Sequence, residues 1–180
     1  SGQLFDEFIK ENCFKPAGMD NTTVFTVERT GGSLEFEDID KLGMAMPYER
    51  DENRNFILAK YYPYSRQHAP SSTLTTNVGD MLKWGRFNLD RKAFSNETYE
   101  TMWKEYAVVP NNGEKMGLGW FMREQEGCHL MGHEGTDIGF RASFWICPEH
   151  DLTITVLSNV SAAPVKRISK TLFAELIHIL

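Results

Sequence analysis

The sequence predicts an α+β fold in which an antiparallel sheet is flanked by helices. Three observations carry that expectation. Between residues 117 and 158 lie four short runs rich in aromatic and β-branched residues, each cut off by Gly, Pro, Asn or Asp. Amphipathic helical spacing occurs near both ends of the chain, and a capped helix stands between them.

In chain order, residues 3–14 set Leu4, Phe5, Phe8, Ile9 and Cys13 at helical spacing around Asp6, Glu7 and Lys10, and Pro16 and Gly18 are expected to end that helix. A short extended piece should follow over residues 22–27, then an acidic, Gly-containing surface loop over residues 31–40. Extended segments are expected near residues 42–48 and 56–62. Residues 69–76 are small and polar. Asn77 with Asp80 three residues later reads as an N-cap with an acidic first turn, opening a helix over 78–89. Ser95 should cap a shorter helix carrying Tyr99, Met102 and Trp103, before a loop around residues 110–113. The runs 117–122, 128–133, 140–147 and 152–158 then predict a meander of antiparallel strands. The last 17 residues or so gather Val165, Ile168, Leu172, Leu176 and Ile179 on one helical face, away from Lys166, Arg167, Lys170 and Glu175, so this helix should cover the sheet.

Composition narrows the function. The chain has 180 residues, 41% hydrophobic and 24% charged, enough to bury one core without staples. A net charge of −6 with no basic run interleaved with aromatics argues against nucleic-acid partners. No apolar stretch approaches the roughly 20 residues that span a bilayer, and any export signal is expected upstream. Cys13, Cys128 and Cys147 are an odd count at wide spacing and read as buried thiols rather than a disulfide framework. No cofactor is implied.

Four pieces, in order, carry a resemblance. Phe14-Lys15-Pro16-Ala17-Gly18-Met19-Asp20-Asn21-Thr22 is similar to F-x-P-L-G-M-x-x-T, with Ala17 for the usual Leu. Ala69 to Leu82 resembles A-G-G-L-x-S-T-x-x-D-L, with Asn77 where Thr usually caps. Met116-Gly117-Leu118-Gly119-Trp120 is close to Y-G-L-G-W. Gly132-His133-Glu134-Gly135-Thr136-Asp137-Ile138-Gly139-Phe140 resembles G-H-x-G-x-x-x-G-F. Together they resemble the C-terminal part of the β-lactamase-like serine hydrolases: class C β-lactamases, D-alanyl-D-alanine peptidases and related esterases.

The resemblance implies a β-lactamase/transpeptidase-like fold whose N-terminal strands and nucleophile helix are absent. Residues 1–180 would be the C-terminal portion of one domain, mainly helix and loop up to about residue 110 and antiparallel strands plus a C-terminal helix from about 115. It implies that His133, Gly135 and Thr136 form one wall of an acyl-transfer pocket. His133 would hydrogen-bond a substrate carboxylate or the catalytic cluster and, unlike the fixed cation of Lys, could switch charge near neutral pH. Gly135 would leave room for substrate, and the Thr136 backbone N–H would give one arm of an oxyanion hole, such a donor stabilising the intermediate by about 3 kcal/mol. Glu134, where Thr, Ser or Gly is usual, would bear on substrate choice by repelling anions. An ordinary strand end with a tight turn is the bland alternative for the same residues.

Other residues were weighed against simpler roles. His129 and His133 are four apart and His133-Glu134 begins like a zincin signature, but position 137 is Asp. In a strand the two histidines stand about 13 Å apart, too far to share a zinc, so no metal site is expected. His68, His150 and His178 read as isolated surface histidines. Tyr61, Tyr62 and Tyr64, none in a Y-x-N, and the four tryptophans read as core or cleft-rim residues.

The acyl-enzyme mechanism needs S-x-x-K and a Y-x-N or S-x-N, and no serine or tyrosine of this chain satisfies either pattern. The expected reading is a fragment of an extracytoplasmic serine hydrolase acting on a β-lactam, a D-Ala peptide or a small ester through an acyl-serine formed upstream, inactive by itself. A non-catalytic binding or scaffold module that kept the fold is the alternative. Surfaces left bare by the missing part should expose an apolar patch and favour a homo-oligomer or association with that part.

Overall fold

A computed structural model describes residues 1–24, 42–59, 69–110 and 113–180. The expected loop over 31–40, the far ends of the extended pieces reaching 27 and 62, Tyr61, Tyr62, Tyr64 and His68 lie outside the described residues.

The first helical run is α1 (Phe5–Ile9), a π-helical turn (Lys10–Phe14) and α2 (Lys15–Ala17). Pro16 therefore sits inside the run instead of ending it. The Lys15 N–H reaches back five residues to the Lys10 carbonyl, and this wider turn opens the ladder just where the proline ring enters it. Gly18, at φ 71°, makes the left-handed stop.

Two small ladders flank the main body: β1 (Thr23–Val24) with β4 (Leu74–Thr75), and the hairpin β2 (Tyr48–Arg50) with β3 (Phe56–Leu58). Strand β2 begins where the sequence reading had its extended segment end, and β4 arises in the run read only as small and polar. Helix α3 (Val78–Leu89) starts as expected, the Asn77 side chain accepting from the Asp80 N–H at 2.9 Å. Ser95 likewise caps α4 (Asn96–Met102).

The sheet is a six-stranded antiparallel meander, β10-β9-β8-β7-β6-β5, made of β5 (Ala107–Val108), β6 (Lys115–Met116), β7 (Phe121–Gln125), β8 (Cys128–Asp137), β9 (Phe140–Cys147) and β10 (Leu152–Ser158). The pair β5 and β6 was not foreseen, being only two residues each. Strand β7 starts later than the run 117–122 suggested. The Gly117 N–H bonds the Trp120 carbonyl and the Leu118 N–H bonds the Met102 carbonyl, so residues 117–120 are a turn docked on the end of α4. A Cβ on Gly117 would stand 2.1 Å from that Met102 oxygen, which is why glycine is needed there.

Helix α3 packs on one face of β9 and β10 and α5 (Val165–Ile177) on the other. Between sheet and α3 lie Phe14, Met19, Met81, Met131, Phe144 and Ile146; between sheet and α5 lie Cys128, Leu130, Trp145, Ile154 and Phe173. The alternation of strand side chains divides the two cores: along β8, Leu130 faces α5 and Met131 faces the α3 side. A chain of ring contacts, Tyr99–Trp103–Trp120–Phe144 at 4.8, 5.9 and 6.2 Å, ties α4 to the sheet. The mixed helix and antiparallel sheet architecture is the one the sequence predicted.

Candidate active site

The centre of interest is the far half of β8. Its near end is set by a two-residue hairpin turn in which both Glu126 (φ 50°) and Gly127 (φ 74°) are left-handed, the requirement of a type I′ turn. That turn closes on Gln125 and Cys128, so the backbone groups of Cys128 face β7. Direction repeats every second residue, and Leu130, Gly132, Glu134 and Thr136 therefore point their N–H and C=O the same way. Pairing with β7 ends where Phe121 opposes Gly132, whereas β9 continues to pair β8 as far as Asp137. Beyond Gly132 the N–H and C=O of Glu134 and Thr136 consequently project from an edge that no strand among the described residues covers.

Three of the expected site residues lie along this edge. His133 is exposed, its ring lying against Phe121 with centroids 4.5 Å apart and planes tilted by 36°, and its Nδ1 is 2.8 Å from the Glu134 carbonyl oxygen. Gly135 shares the face of His133, and the exposed Thr136 presents its N–H outward. A Cβ on Gly135 would meet only the Ala142 Cβ at 3.5 Å, an ordinary contact. The fold itself does not demand glycine there. Gly132 differs: a Cβ would stand 2.0 Å from the Phe144 oxygen and 2.7 Å from the Trp145 ring.

Glu134 is not brought together with the other three. Its side chain leaves the opposite face of the strand, toward α5, and its carboxylate lies 3.6 Å from Arg123 Nη1 and 3.3 Å from Lys166 Nζ. The Arg123 side chain is only 8% exposed and rests on Trp145, 3.9 Å from the ring centroid. Burial pulls the Arg123 guanidinium below its usual range against the pull of Glu134 and Glu114. Lys166 also meets Glu114 at 2.5 Å; burial would lower its ammonium, but Glu114 and Glu134 hold it above the ordinary lysine value. The Glu134 carboxylate expected to bear on substrate choice thus lies beside Arg123 and Lys166 behind the strand.

Sequence reasoning missed this rear layer. Arg123 of β7, Glu114 just before β6 and Lys166 of α5 lie apart in the chain, and only pairing in space reveals them. The same holds for the buried Ser143, opposite Glu134 on β9, whose Oγ lies 2.8 Å from Ser169 Oγ of α5 and accepts from Trp145 Nε1 at 3.0 Å. His129 is exposed, with Nδ1 2.9 Å from Glu149 Oε1, and no group of residues among those described is arranged to hold a metal. His150 and His178 are exposed. A hollow of about 800 Å³ lies on the α5 side, lined by Lys115, Arg123, Lys166 and Lys170 among others, away from His133.

The Gly139 turn that ends β8 is braced. The Gly139 N–H donates to Ser161 Oγ at 2.7 Å, and Pro47 packs so closely that a Cβ on Gly139 would stand 2.1 Å from it. Residues 46–48 are in turn bonded to Asn159 and Ser161. The exposed edge therefore hangs on a fixed frame.

The chain is similar in sequence and in fold to known proteins. The chain is 26% identical over 171 residues to penicillin-binding protein 4* of Bacillus subtilis (strain 168), covering 88% of this chain and 36% of that protein. Its fold superposes on the octameric penicillin-binding protein homologue from Pyrococcus abyssi with a TM-score of 0.79 at 25% identity, covering 98% of this chain and 38% of the other. A D-stereospecific amidohydrolase from Streptomyces sp. shares the fold at a TM-score of 0.72 and 15% identity, with 89% and 45% covered. The chain thus spans 36% to 45% of the length of these three relatives. The model of the Beta-lactamase family fits residues 1–178, and the chain belongs to that family.

Proposed function

We propose that the protein carrying this chain hydrolyses an ester or amide, a β-lactam, a D-amino-acid peptide or a small ester, through an acyl-serine intermediate whose nucleophile lies outside these residues. The observation that carries this reading is the uncovered half of β8, where the outward N–H of Thr136 stands beside an exposed His133. An acyl group laid along Gly135 meets no side chain there, and the N–H of Thr136 is a ready donor to an oxyanion. His133, on the same edge, supplies a hydrogen bond to a substrate carboxylate or to the reacting cluster. Family membership supports the chemistry, and the open edge supports its place on this chain. An extracytoplasmic setting fits the family, and no described helix is long and apolar enough to cross a membrane.

The test uses the intact protein with nitrocefin, a nitrophenyl ester and a D-amino-acid dipeptide. Turnover of at least one, with kcat/KM lowered on the order of 100-fold by His133→Ala, is expected. A serine-directed phosphonate should label the intact protein and leave the 180-residue chain untouched. Labelling of the isolated chain would overturn the placement of the nucleophile. An intact protein that turns over none of the three, yet binds one, would instead indicate a binding module.

A further inference from the structure

The side chain of Glu134 leaves one face of β8 while its carbonyl serves His133 on the strand's open edge. The partner of His133 Nδ1, at 2.8 Å, is a carbonyl oxygen, which only accepts; Nδ1 must therefore carry a proton whether the ring is neutral or charged. In the neutral ring that leaves Nε2 bare. An unconstrained histidine prefers the opposite arrangement, with the proton on Nε2, so something must hold the acceptor in place.

We propose that Glu134 is a positioning residue: ion-paired from behind with Lys166 at 3.3 Å and with Arg123 at 3.6 Å, the latter without a hydrogen bond, it fixes its own peptide so that the Glu134 carbonyl selects the Nδ1–H form of His133 and presents Nε2 as an acceptor on the cleft side. This deepens, and rests on, the reading of His133 as a site residue. The Glu134 carbonyl is available because β7 has ended at Phe121 and takes no bond from it. A side-chain direction and a carbonyl direction within one residue are tied by backbone geometry, so pinning the first restrains the second. Both partners are themselves held. Arg123 is buried against Trp145, and Lys166 is bound to Glu114 on one side while the Ser143–Ser169 contact locks α5 to β9 beside Glu134. Phe121, lying against the imidazole, restricts the ring's rotation.

Such a ring has a defined job in acyl transfer. Neutral, it accepts a hydrogen bond at Nε2 from a hydroxyl or ammonium group; after gaining a proton it donates there to a carboxylate or developing oxyanion, without the ring having to turn.

The tautomer is read directly in the 180-residue chain by long-range proton–nitrogen correlation of the histidine rings at alkaline pH, with His133 assigned by its loss in His133→Gln. A protonated Nδ1 and an unprotonated Nε2 are expected. Glu134→Ala should shift the ring toward the Nε2–H form, and Lys166→Met, at a half-exposed side chain, should move it the same way by less. Circular dichroism establishes that each variant is folded before its spectrum is interpreted. A wild-type ring protonated on Nε2 would overturn the proposal, as would an unchanged ratio in both folded variants. Failure of the hydrolase reading is separate, since it would appear as inactivity of the intact protein with the Nδ1–H form still in place.

Discussion

Gly132 and Gly135 look equivalent in a G-H-x-G motif, yet the structure gives them different reasons to be glycine. Gly132 is squeezed by the Phe144 carbonyl and the Trp145 ring, whereas Gly135 has room for a methyl group. Gly132→Ala should therefore lower the melting temperature by many degrees, since backbone and a buried indole must move. Gly135→Ala should leave the unfolding free energy within about 0.5 kcal/mol of wild type, as substitutions without a clash do, while lowering substrate turnover in the intact protein. Equal loss of stability in both variants would show that Gly135, too, serves only the fold. Asp80 makes the complementary case for a polar residue. Its carboxylate is 2% exposed and accepts from the Asn21 N–H at 2.8 Å and Thr22 Oγ1 at 2.9 Å, with Lys83 at 3.1 Å. Burial pushes this carboxyl up, but those hydrogen bonds and Lys83 together hold it below the usual range. A depressed folded value means stability that is present above the unfolded carboxyl range, about 3.9, and is lost as pH falls through the folded one. Asp80→Asn should cost about 1–3 kcal/mol at neutral pH. The gap to wild type in thermal melts should close as the pH is taken below about 4. Cys147 adds a chemical readout: burial, helped by Glu149 and Cys128 and opposed by a backbone hydrogen bond, pushes its thiol up to about 12, so disulfide-exchange reagents at pH near 8 should reach it only after unfolding.

Elements are joined at points of close approach rather than by broad apolar contact alone. Helix α3 meets β10 at Gly85, where a Cβ would stand 2.2 Å from Thr153 Cγ2. Gly85→Ala should push the helix off the sheet and destabilise by roughly 1–3 kcal/mol. Thr153→Ala in the same chain should return part of that loss, because it removes the two nearest atoms but leaves Thr153 Cβ at 2.9 Å. Independent, additive losses in a denaturation cycle would argue against the contact. How much of each element was legible in the sequence follows from where its information resides. The starts of α3 and α4 were legible because a cap and a first turn are local chemistry, Asn77 with Asp80 and Ser95 with Thr98. Strands β9 and β10 were read to their ends, since both are rich in aromatic, aliphatic or β-branched residues and are bounded by Gly139, Pro148, Asp151 and Asn159. The start of β7 was misread because Gly117–Trp120 looks like a strand until the end of α4 claims its amides, and Pro16 was misread because the π-helical turn that accommodates it has no sequence signature.

At the scale of the molecule, apolar side chains remain uncovered. Leu4, Phe5 and Phe8 of the first helical run, Phe56, Ile57 and Leu58 of β3, and Ile168, Leu172, Ile179 and Leu180 at the C-terminal end are exposed. More contiguous apolar surface than a monomer usually shows drives association. The chain alone should therefore self-associate in sedimentation at micromolar concentration, and a persistent monomer that binds no hydrophobic dye would contradict this. The homologue from Pyrococcus abyssi is described as octameric, which makes the measurement worth pairing with one on the intact protein.

The sequence by itself determined the family, the main helices and long strands, and the motif over residues 132–140, because caps, alternation and motif spacing are properties of neighbours along the chain. Tertiary structure alone decided which way each residue of that stretch faces: that β7 stops at Phe121 and leaves an open edge, that His133 and Gly135 stand on one face, and that Glu134 turns away to Arg123 and Lys166. In a strand, one residue of register reverses every side chain, and where a neighbouring strand ends is fixed by packing many residues away.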